Sequence, residues 1–411
     1  MNGHHEIALL LLTNGAKINQ SDNYGYTPLL YGVNSGCSKV TDILLKKHAN
    51  VNKCGNDSWY PLHIAASAGN TDLIKFLVDN NAKVNKRMSN GMTPLYIAST
   101  EGNLRAVKML LEYKAKVNKS ANRGWSPLNG VCDQMYNEIA EIRLENGAAV
   151  NNYEETGRTA LHIAAEDGNI DLIKILMQHD ADVNLQMNNG MTLVYLACSS
   201  NHLEAEVVTY LCHHSDAKVN LSNKYGKTPL HLACDKGNKD IVILLLKHGA
   251  SINHCDENGL TSFHQACSKV NINIVELLIN ENAAVNLSDR SDRTPLYIAC
   301  QSRCTIVVEL LLKHGAEVNT ARHFKSEECW TPLHVSASSG DTRITELLLH
   351  NNAAVNIEDR NGHTPLYYAT QKSYENIVEL LVRHGAFLSY SDNQIPSLSE
   401  EPKRRKRCVL Q

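Results

Sequence analysis

The residues best suited to covalent chemistry lie at the C-terminal end of the sequence. Residues 408–411 are Cys-Val-Leu-Gln, a cysteine followed by two aliphatic residues and a terminal glutamine. This pattern is a C-a-a-X prenylation motif, in which the Cys408 thiol accepts an isoprenoid and a terminal Gln favours farnesyl. Five consecutive cations stand directly before it: Lys403, Arg404, Arg405, Lys406 and Arg407. Since one prenyl chain anchors only marginally and each cation adds about 1 kcal/mol at an anionic leaflet, the tail predicts a two-signal membrane tether.

The same basic run has two other interpretations. With Pro402 in front of it, the run 403–407 also resembles a nuclear import signal. A run of like charges also serves simply as a solubilising end. Residues 391–402 contain serine, proline and glutamate, which predicts a flexible linker ahead of a polybasic tail at 403–411.

An internal repeat organises the sequence that precedes this tail. The threonine of a Thr-Pro-Leu-His motif, or the residue that replaces it, is taken as the register mark of each unit. The marks are spaced 33 residues apart, except for one spacing of 36 and one of 37: Thr27, Tyr60, Thr93, Ser126, Thr159, Thr192, Thr228, Thr261, Thr294, Thr331 and Thr364. A nearly fixed period predicts one array of short units rather than separate globular domains.

The unit that starts at Thr159 shows what each repeat encodes. The Thr159 hydroxyl is placed to cap a short helix, and Gly168 is placed to end it. Leu172, Ile173 and Leu176 then recur at helical spacing, which predicts a second amphipathic helix. The segment before the next mark is rich in turn residues. Each unit is therefore predicted to be a turn followed by two short antiparallel helices.

The units resemble the ankyrin repeat. In the unit of Thr228, residues 228–233 are Thr-Pro-Leu-His-Leu-Ala, followed by Gly-Asn at 237–238, Leu-Leu at 244–245 and Gly-Ala at 249–250. The resemblance implies an all-α ankyrin-repeat solenoid, in which each 33-residue unit is a β-hairpin loop plus two antiparallel helices. It implies an array over 21–390 after a partial repeat at 1–20. It also implies a concave face lined by the hairpins and first helices.

Histidine and cysteine repeat in the same register, which indicates structural rather than metal-binding roles. One set of histidines stands three residues after its marks: His63, His162, His231, His264 and His334. The family resemblance implies that this histidine bonds neighbouring backbone. One set of cysteines stands six residues after its marks, where Ala165 is found in another unit: Cys132, Cys198, Cys234, Cys267 and Cys300. A buried thiol replaces alanine readily, and no zinc-ligand spacing is complete, so no metal site is predicted.

The residue before each mark is the candidate for binding another protein. Aromatic residues and methionine, the residue types that anchor interfaces, occupy this position in six units: Tyr26, Trp59, Met92, Trp125, Met191 and Trp330. The family resemblance implies that this position lies on the hairpin and faces the concave side. The alternative is that each tryptophan packs against the next hairpin and binds nothing.

Two asparagines are candidates for enzymatic hydroxylation. Asn184 follows Asp-Val and Asn319 follows Glu-Val, each a few residues beyond a leucine of the second helix. These contexts resemble the sites that asparaginyl hydroxylases modify in ankyrin repeats. The alternative role is a hydrogen bond from the side chain to the hairpin backbone.

Three places depart from the repeat. Residues Glu6–Leu12 form a second helix without a first, which we interpret as a truncated gene model or a missing upstream domain. The unit of Ser126 has Asn129 in place of histidine and Arg143 in place of a core leucine. The unit of Thr192 carries a three-residue insertion within 202–216. We expect the last two units to be soft joints, because each repeat is stabilised mainly by its neighbours.

Composition limits the class of function. Charged residues are 20% and hydrophobic residues 43%, which excludes wholesale disorder, and a net charge of -3 argues against general nucleic-acid binding. The five tail cations leave 35 basic against 43 acidic residues elsewhere, so a body of charge -8 precedes a basic tail. Apolar runs reach six residues where a membrane span needs about 20, and twelve cysteines without a signal peptide indicate reduced thiols inside a cell.

These patterns predict a binding protein and not an enzyme. The sequence has no Walker-type phosphate loop and no Gly-x-Gly-x-x-Gly motif, so no cofactor is expected. The first hypothesis is a cytoplasmic scaffold or adaptor that binds proteins on its concave face and is held peripherally on a membrane by the tail. The second is a nuclear adaptor that uses the basic run for import. The third is the regulatory C-terminal part of a longer enzyme.

Overall fold

The computed structural model describes residues 5–199, 204–214, 216–321 and 329–388, and these contain 23 α-helices. Short first helices alternate with longer second helices along the chain. The first helices are α2 Pro28–Asn34, α4 Pro61–Ser67, α6 Pro94–Thr100, α8 Pro127–Asp133, α10 Ala160–Glu166, α12 Leu193–Ala197, α14 Pro229–Lys236, α16 Ser262–Ser268, α18 Pro295–Gln301, α20 Pro332–Ser339 and α22 Pro365–Gln371. The second helices are α1 His5–Thr13, α3 Ser38–Lys46, α5 Thr71–Asp79, α7 Leu104–Glu112, α9 Asn137–Glu145, α11 Ile170–Gln178, α13 Glu204–His214, α15 Lys239–Lys247, α17 Ile272–Asn280, α19 Thr305–Lys313, α21 Thr342–His350 and α23 Glu375–Arg383.

Each first helix begins directly after its register mark. Thr93 has extended backbone and its hydroxyl accepts a hydrogen bond from the Tyr96 N–H, at 3.2 Å. Pro94 follows as the first helical residue, where its missing N–H costs nothing. In the unit of Thr159 the same cap forms, and Gly168 adopts a positive φ of 65° just beyond the helix. The predicted cap and the predicted helix stop are therefore confirmed.

The core of each unit lies between its two helices and the helices of the next unit. First helices pack on first helices and second helices on second helices, as in α4 with α6, α5 with α7, and α14 with α16. A leucine of the second helix is buried in every unit except that of Ser126, seventeen residues after the mark in nine units and nineteen after it in the unit with the insertion: Leu44, Leu77, Leu110, Leu176, Leu211, Leu245, Leu278, Leu311, Leu348 and Leu381. In the unit of Ser126 the fully buried Arg143 takes this place.

The hairpin segments are tight turns that hydrogen bond to one another. In one of them the Asp256 N–H donates to the Leu260 carbonyl and the Gly259 N–H donates to the Asp256 carbonyl, both at 2.9 Å. The Glu257 N–H donates to the Tyr225 carbonyl of the preceding unit, at 3.0 Å. The described residues contain one antiparallel bridge, between Tyr153 and Thr159, and no strand. The all-α repeat fold predicted from the sequence is confirmed.

The chain divides into two compact units, Met1–Val207 and Val208–Gln411. The division falls inside α13, in the repeat that carries the insertion at 202–216. Faster hydrogen exchange of the backbone amides in this unit and in the unit of Ser126 than in the other repeats stays a prediction.

The N-terminal helix has the position of a second helix, as the sequence predicts. It packs on α3, the second helix of the following repeat. Its other side is apolar and exposed, with Ile7 at 52%, Leu10 at 62% and Leu11 at 56% exposure. Within the described ranges, no helix is both long enough and apolar enough to cross a membrane.

Candidate protein-interaction surface

The six residues predicted to bind a partner occupy equivalent places in the structure. Each lies directly before the first helix of its unit, and each side chain is half-buried: Tyr26, Trp59, Met92, Trp125, Met191 and Trp330. Aromatic and methionine side chains that are half-buried in this way present apolar area at the surface. Their individual surroundings differ, and these decide which of them is available to a partner.

Tyr26 and Trp125 both have contacts within the chain, Tyr26 with the next unit and Trp125 with the first helix of its own unit. The Tyr26 hydroxyl donates to Asp57 Oδ2 at 2.6 Å, and this bond, together with partial burial, raises the pKa of Tyr26 to about 12. The Trp125 indole packs over Gly130, where an added Cβ would lie 3.4 Å from its Nε1. Whether either residue also contacts a partner stays a prediction.

Trp330 belongs to an aromatic cluster on the last two repeats. Its ring meets the Tyr368 ring edge-on, with centroids 4.7 Å apart, and stacks on His334 with centroids 6.3 Å apart. Beside it is a cavity of about 290 Å³ lined by Trp330 itself, by residues of α18 and α20 and by one lysine after α22: Tyr297, Gln301, Trp330, Val335, Ser338, Ser339 and Lys372. We call this the Trp330 cavity. It lies on the first helices and the hairpin side, the region predicted to bind proteins.

Lys372 supplies a donor at the Trp330 cavity. The Lys372 ammonium donates to the Ser338 carbonyl at 2.7 Å and to Ser338 Oγ at 3.0 Å, which leaves its third N–H available. The Trp330 Nε1 is buried and has no acceptor among the described residues. A buried donor without a partner costs free energy, and this one is closed off from solvent in the structure.

The repeated histidines have the structural role that the family resemblance implies. In His231, Nδ1 accepts from the Thr228 N–H at 3.2 Å, so Nε2 carries the proton and donates to the Leu260 carbonyl of the next unit at 3.0 Å. His162, His264 and His334 make the same type of contact. His63 differs, because its mark is Tyr60 and its Nδ1 has no partner. The contact of Nε2 with the following unit is confirmed in all five.

The repeated cysteines are buried, as the sequence predicts. Cys132, Cys198, Cys234, Cys267 and Cys300 are 0% exposed. Burial raises the pKa of the thiols well above their ordinary range in four of them, Cys132, Cys234, Cys267 and Cys300, so little reactive thiolate forms. Across the part of the chain that the structure describes, no group of three or more His, Cys, Asp or Glu side chains is arranged to hold a metal ion.

The two asparagines predicted to be hydroxylated lie in the loops after second helices. Asn319 donates from Nδ2 to the Asn352 carbonyl at 3.3 Å and accepts from the Ala354 N–H at 2.8 Å. Asn184 is half-buried, and its N–H donates to Asp182 Oδ1 at 2.9 Å. The Asn319 side chain thus has the backbone-bonding role given as the alternative, and hydroxylation stays a prediction. A mass increase of 16 Da on either peptide is the measurement that tests it.

Several predicted residues lie outside the described residues. These are the linker 391–402 and the tail 403–411, which includes the predicted lipidation site Cys408. The membrane tether therefore stays a prediction.

Sequence reasoning missed Lys372 and Tyr297 as components of a site. The signal is present in the repeat register, because Lys269 and Lys372 both stand eight residues after their marks. Lys269 pairs with Asp235 of the preceding unit at 3.3 Å, whereas the residue equivalent to Asp235 beside Lys372 is Ser338. Comparing these two pairs across units would have identified Lys372 as a lysine that faces a serine of the preceding unit where Lys269 faces an aspartate.

Helix pairs joined by tight turns and repeated along the chain define an α-helical repeat protein. The family model for ankyrin repeats (3 copies) matches the chain in six places, at residues 1–54, 47–121, 116–187, 179–256, 250–322 and 321–392. The chain belongs to the ankyrin-repeat family. Ankyrin repeats generally mediate protein–protein interaction, and the family is generally non-enzymatic. A search of curated proteins gave no significant match.

Proposed function

We propose that the chain is a non-enzymatic scaffold or adaptor that binds a protein partner along its hairpins and first helices. The observation that carries this proposal is the Trp330 cavity, in which aromatic side chains and an exposed lysine occur together. Tryptophan in a pocket of this kind is the residue type that most often dominates binding energy at protein interfaces. Tyr297 and Val335, which are 4% and 7% exposed, give the cavity a rigid apolar floor.

Quantitative affinity purification of the intact chain tests this proposal. We expect Trp330→Ala to reduce recovery of the principal partner at least tenfold relative to the parent chain, because an aromatic anchor is removed. The matched control is Ile306→Ala, since Ile306 is 53% exposed on the second helix α19 and lies away from the first-helix side. Equal loss in both variants, with unchanged thermal stability, would contradict the proposal.

The finer proposal concerns where the scaffold acts. We infer that farnesylation of Cys408, assisted by the five cations of 403–407, tethers the chain to the cytoplasmic face of a membrane. The support is the chemistry of the motif, in which a thiol, two aliphatic residues and a terminal Gln follow a polybasic run. One lipid chain alone binds reversibly, and the cations supply the second signal. An acidic body of charge -8 would be repelled from the anionic surface that attracts the tail.

Two tail variants distinguish the tether from nuclear import. Cys408→Ser should move the chain from the membrane fraction to the soluble fraction. Replacing all five cations of 403–407 with glutamine should weaken membrane binding but leave prenylation in place. The import interpretation would be favoured by a different pattern. In that case the parent chain and Cys408→Ser are both found in the nucleus, whereas the glutamine variant is excluded from it. Unchanged fractionation of Cys408→Ser would contradict the tether.

A further inference from the structure

Three successive loops in the first half of the chain carry a concentrated positive charge. They follow the second helices α3, α5 and α7 and occupy residues 47–54, 80–87 and 113–120. These loops contain two, three and three cations, respectively, and no carboxylate. The equivalent loop at 146–153 has no charged residue, and the one at 179–186 has two aspartates. We call the three loops at 47–54, 80–87 and 113–120 the basic loops.

The basic loops lie side by side, because each is hydrogen bonded to the next. The Lys83 N–H donates to Asn52 Oδ1 at 2.9 Å, and the Lys116 N–H donates to Asn85 Oδ1 at 2.6 Å. Neighbouring helices pack about 8–10 Å apart, so the three loops form one row about 20 Å long. The whole row belongs to the first compact unit, Met1–Val207.

The charge of this row is not neutralised within the chain. Among the described residues, none of the eight cations forms an ion pair. Asp79 and Glu112 end α5 and α7 directly before two of the loops, which leaves the cations in large excess. Six of the eight cations are exposed to solvent: Lys47, Lys83, Arg87, Lys114, Lys116 and Lys119.

The residue types in the row favour one class of anionic partner. Arg87, the single arginine, donates from Nε to the Gly91 carbonyl and from Nη2 to the Ser120 carbonyl, both at 3.0 Å. The other seven cations are lysines, which are flexible point charges and not the forks that hold one phosphate bidentately. Tyr113 is the single aromatic residue of the three loops and is half-buried, so they offer no platform on which nucleic-acid bases could stack. Exposed lysines in a row suit the diffuse charge of anionic lipid headgroups.

Resting on the proposed membrane tether, we propose that the basic loops are a second membrane contact, at which lysine ammoniums bind the headgroups of anionic lipids such as phosphatidylserine. The lipidated tail anchors the chain, and the basic loops bring the first compact unit to the leaflet with its loop side towards the lipid. The net charge of the body conceals this surface, because residues 124–187 contain eleven acidic and three basic residues.

Vesicle co-sedimentation of the full-length chain tests this contact separately from the tail. The chain used carries Cys408→Ser and glutamine at all five positions of 403–407, so that neither lipid nor tail cations contribute; we call it the tail-neutral chain. The probes are vesicles of phosphatidylcholine with phosphatidylserine and vesicles of phosphatidylcholine alone. The loop variant adds Lys83→Gln, Lys116→Gln and Lys119→Gln, whose side chains form no hydrogen bond among the described residues. The matched control has the same net charge and replaces three exposed lysines of α14 and α15 with glutamine: Lys236, Lys239 and Lys247.

We expect the tail-neutral chain to bind the phosphatidylserine vesicles at about 0.1 M salt and not the neutral vesicles. The loop variant should bind them at least about tenfold more weakly, because each lysine near an anionic leaflet contributes about fivefold. The control variant should change binding by less than about twofold. About 1 M salt should abolish binding, since the screening length falls from about 10 Å to about 3 Å. Equal unfolding temperatures of the two variants show that the fold is kept.

Three outcomes would overturn this inference. They are equal binding to both kinds of vesicle, equal weakening in the loop and control variants, and displacement from the vesicles by short duplex DNA or polyglutamate at an equal concentration of negative charge. The tether and the loop contact can also fail separately. If Cys408→Ser leaves fractionation in cells unchanged while the loop variant loses vesicle binding, the tether is contradicted and the loop contact is not. If Cys408→Ser releases the chain in cells but the loop variant binds vesicles like the control, only the present inference is contradicted.

Discussion

At the scale of single residues, Tyr60 leaves a defect that the other units do not have. As the N-cap of α4 it makes no side-chain cap bond, and the buried His63 beneath it has an unpartnered Nδ1. In the unit of Thr228, by contrast, the threonine hydroxyl lies 2.8 Å from Nδ1 of His231. The Tyr60 ring has a compensating contact, since Lys86 Nζ lies 5.2 Å from its centroid.

We expect Tyr60→Thr to stabilise the fold. A threonine cap contributes about 1 kcal/mol and pairing a buried acceptor about 1–3 kcal/mol, against about 0.5–1 kcal/mol for a half-exposed cation–π contact. Thermal unfolding should therefore occur a few degrees higher than in the parent chain. Tyr60→Ala, which removes the ring without adding a hydroxyl, should unfold lower. A lower unfolding temperature for the threonine variant would show that the ring contact outweighs the cap.

Buried histidines make stability depend on pH. Burial lowers the pKa of His162 to about 4, whereas the ordinary value near 6.5 applies in the unfolded chain. The unfolded state therefore binds the proton first, and the stability present above pH 6.5 is lost as the pH falls from about 6.5 towards 4.

The unit of Ser126 has an asparagine, which does not titrate, in place of this histidine. Asn129 accepts from Ser126 Oγ at 2.8 Å and donates to the Arg158 carbonyl at 3.4 Å, in place of the histidine.

His162→Asn should lower the number of protons taken up on unfolding by about one. At pH 7.5 both side chains are neutral and we expect similar stability. Between pH 6 and 5 the unfolding free energy of the variant should fall less steeply, by about 1.4 kcal/mol per pH unit. Urea denaturation at a series of pH values measures the slope. Parallel slopes for the parent and the variant would mean that His162 titrates alike in the folded and unfolded states.

At the scale of helices and loops, Arg143 replaces the leucine that every other unit has on its second helix. It is 0% exposed, donates to Ser99 Oγ at 2.7 Å and to the Val117 carbonyl at 2.5 Å, and leaves its Nε without a partner. Burial lowers the pKa of the guanidinium to about 10, so it still carries its charge at neutral pH. A buried cation with two neutral acceptors and an unpaired N–H is a costly arrangement.

Arg143→Leu should therefore stabilise its unit by about 1–3 kcal/mol, because the charge is replaced by the apolar side chain that the register favours. Hydrogen exchange of the amides of α8 and α9 should slow by at least tenfold. The matched control is Leu176→Arg in the next unit, where Cys132 stands in the place of Ser99, and it should destabilise strongly. Faster exchange in Arg143→Leu would show that the bonds to Ser99 and Val117 outweigh the desolvation of the charge.

Asparagine side chains connect the loops of successive units. Asn286 donates to the Gly315 carbonyl at 3.1 Å and accepts from the Glu317 N–H at 2.8 Å. Asn118, Asn220 and Asn356 make the same pair of bonds to the following unit. The conserved geometry explains why an asparagine stands at this place in so many units of the sequence.

Asn286→Ala should cost about 1 kcal/mol at this junction, since two solvent-exposed hydrogen bonds are lost together. Hydrogen exchange should show faster exchange of the Glu317 amide by about fivefold. Asn280→Ala, at the exposed end of α17, serves as the control and should leave that amide unchanged. Unchanged protection of Glu317 in Asn286→Ala would mean that the loop is held by other contacts.

At the scale of the whole molecule, the sequence period predicts the fold because each unit repeats one local solution. The cap at Thr159, the stop at Gly168 and the buried Leu176 follow from propensities within a dozen residues of one another. The site depends on contacts between units and is harder to predict. Lys372 lies beside Ser338 through stacking of units 34 residues apart, and Arg143 finds Ser99 across 44 residues.

Photo-crosslinking tests most directly whether a partner binds on the first-helix side. Benzoylphenylalanine is placed at Gln301, which lines the Trp330 cavity, or at Ile306, five residues later on the exposed surface of the second helix α19. Both sites belong to one repeat, so expression and folding are matched. After irradiation in cells, the predicted result is a covalent adduct to another protein from position 301 and none from position 306. Adducts from 306 alone, or equal adducts from both, would contradict binding along the hairpins and first helices.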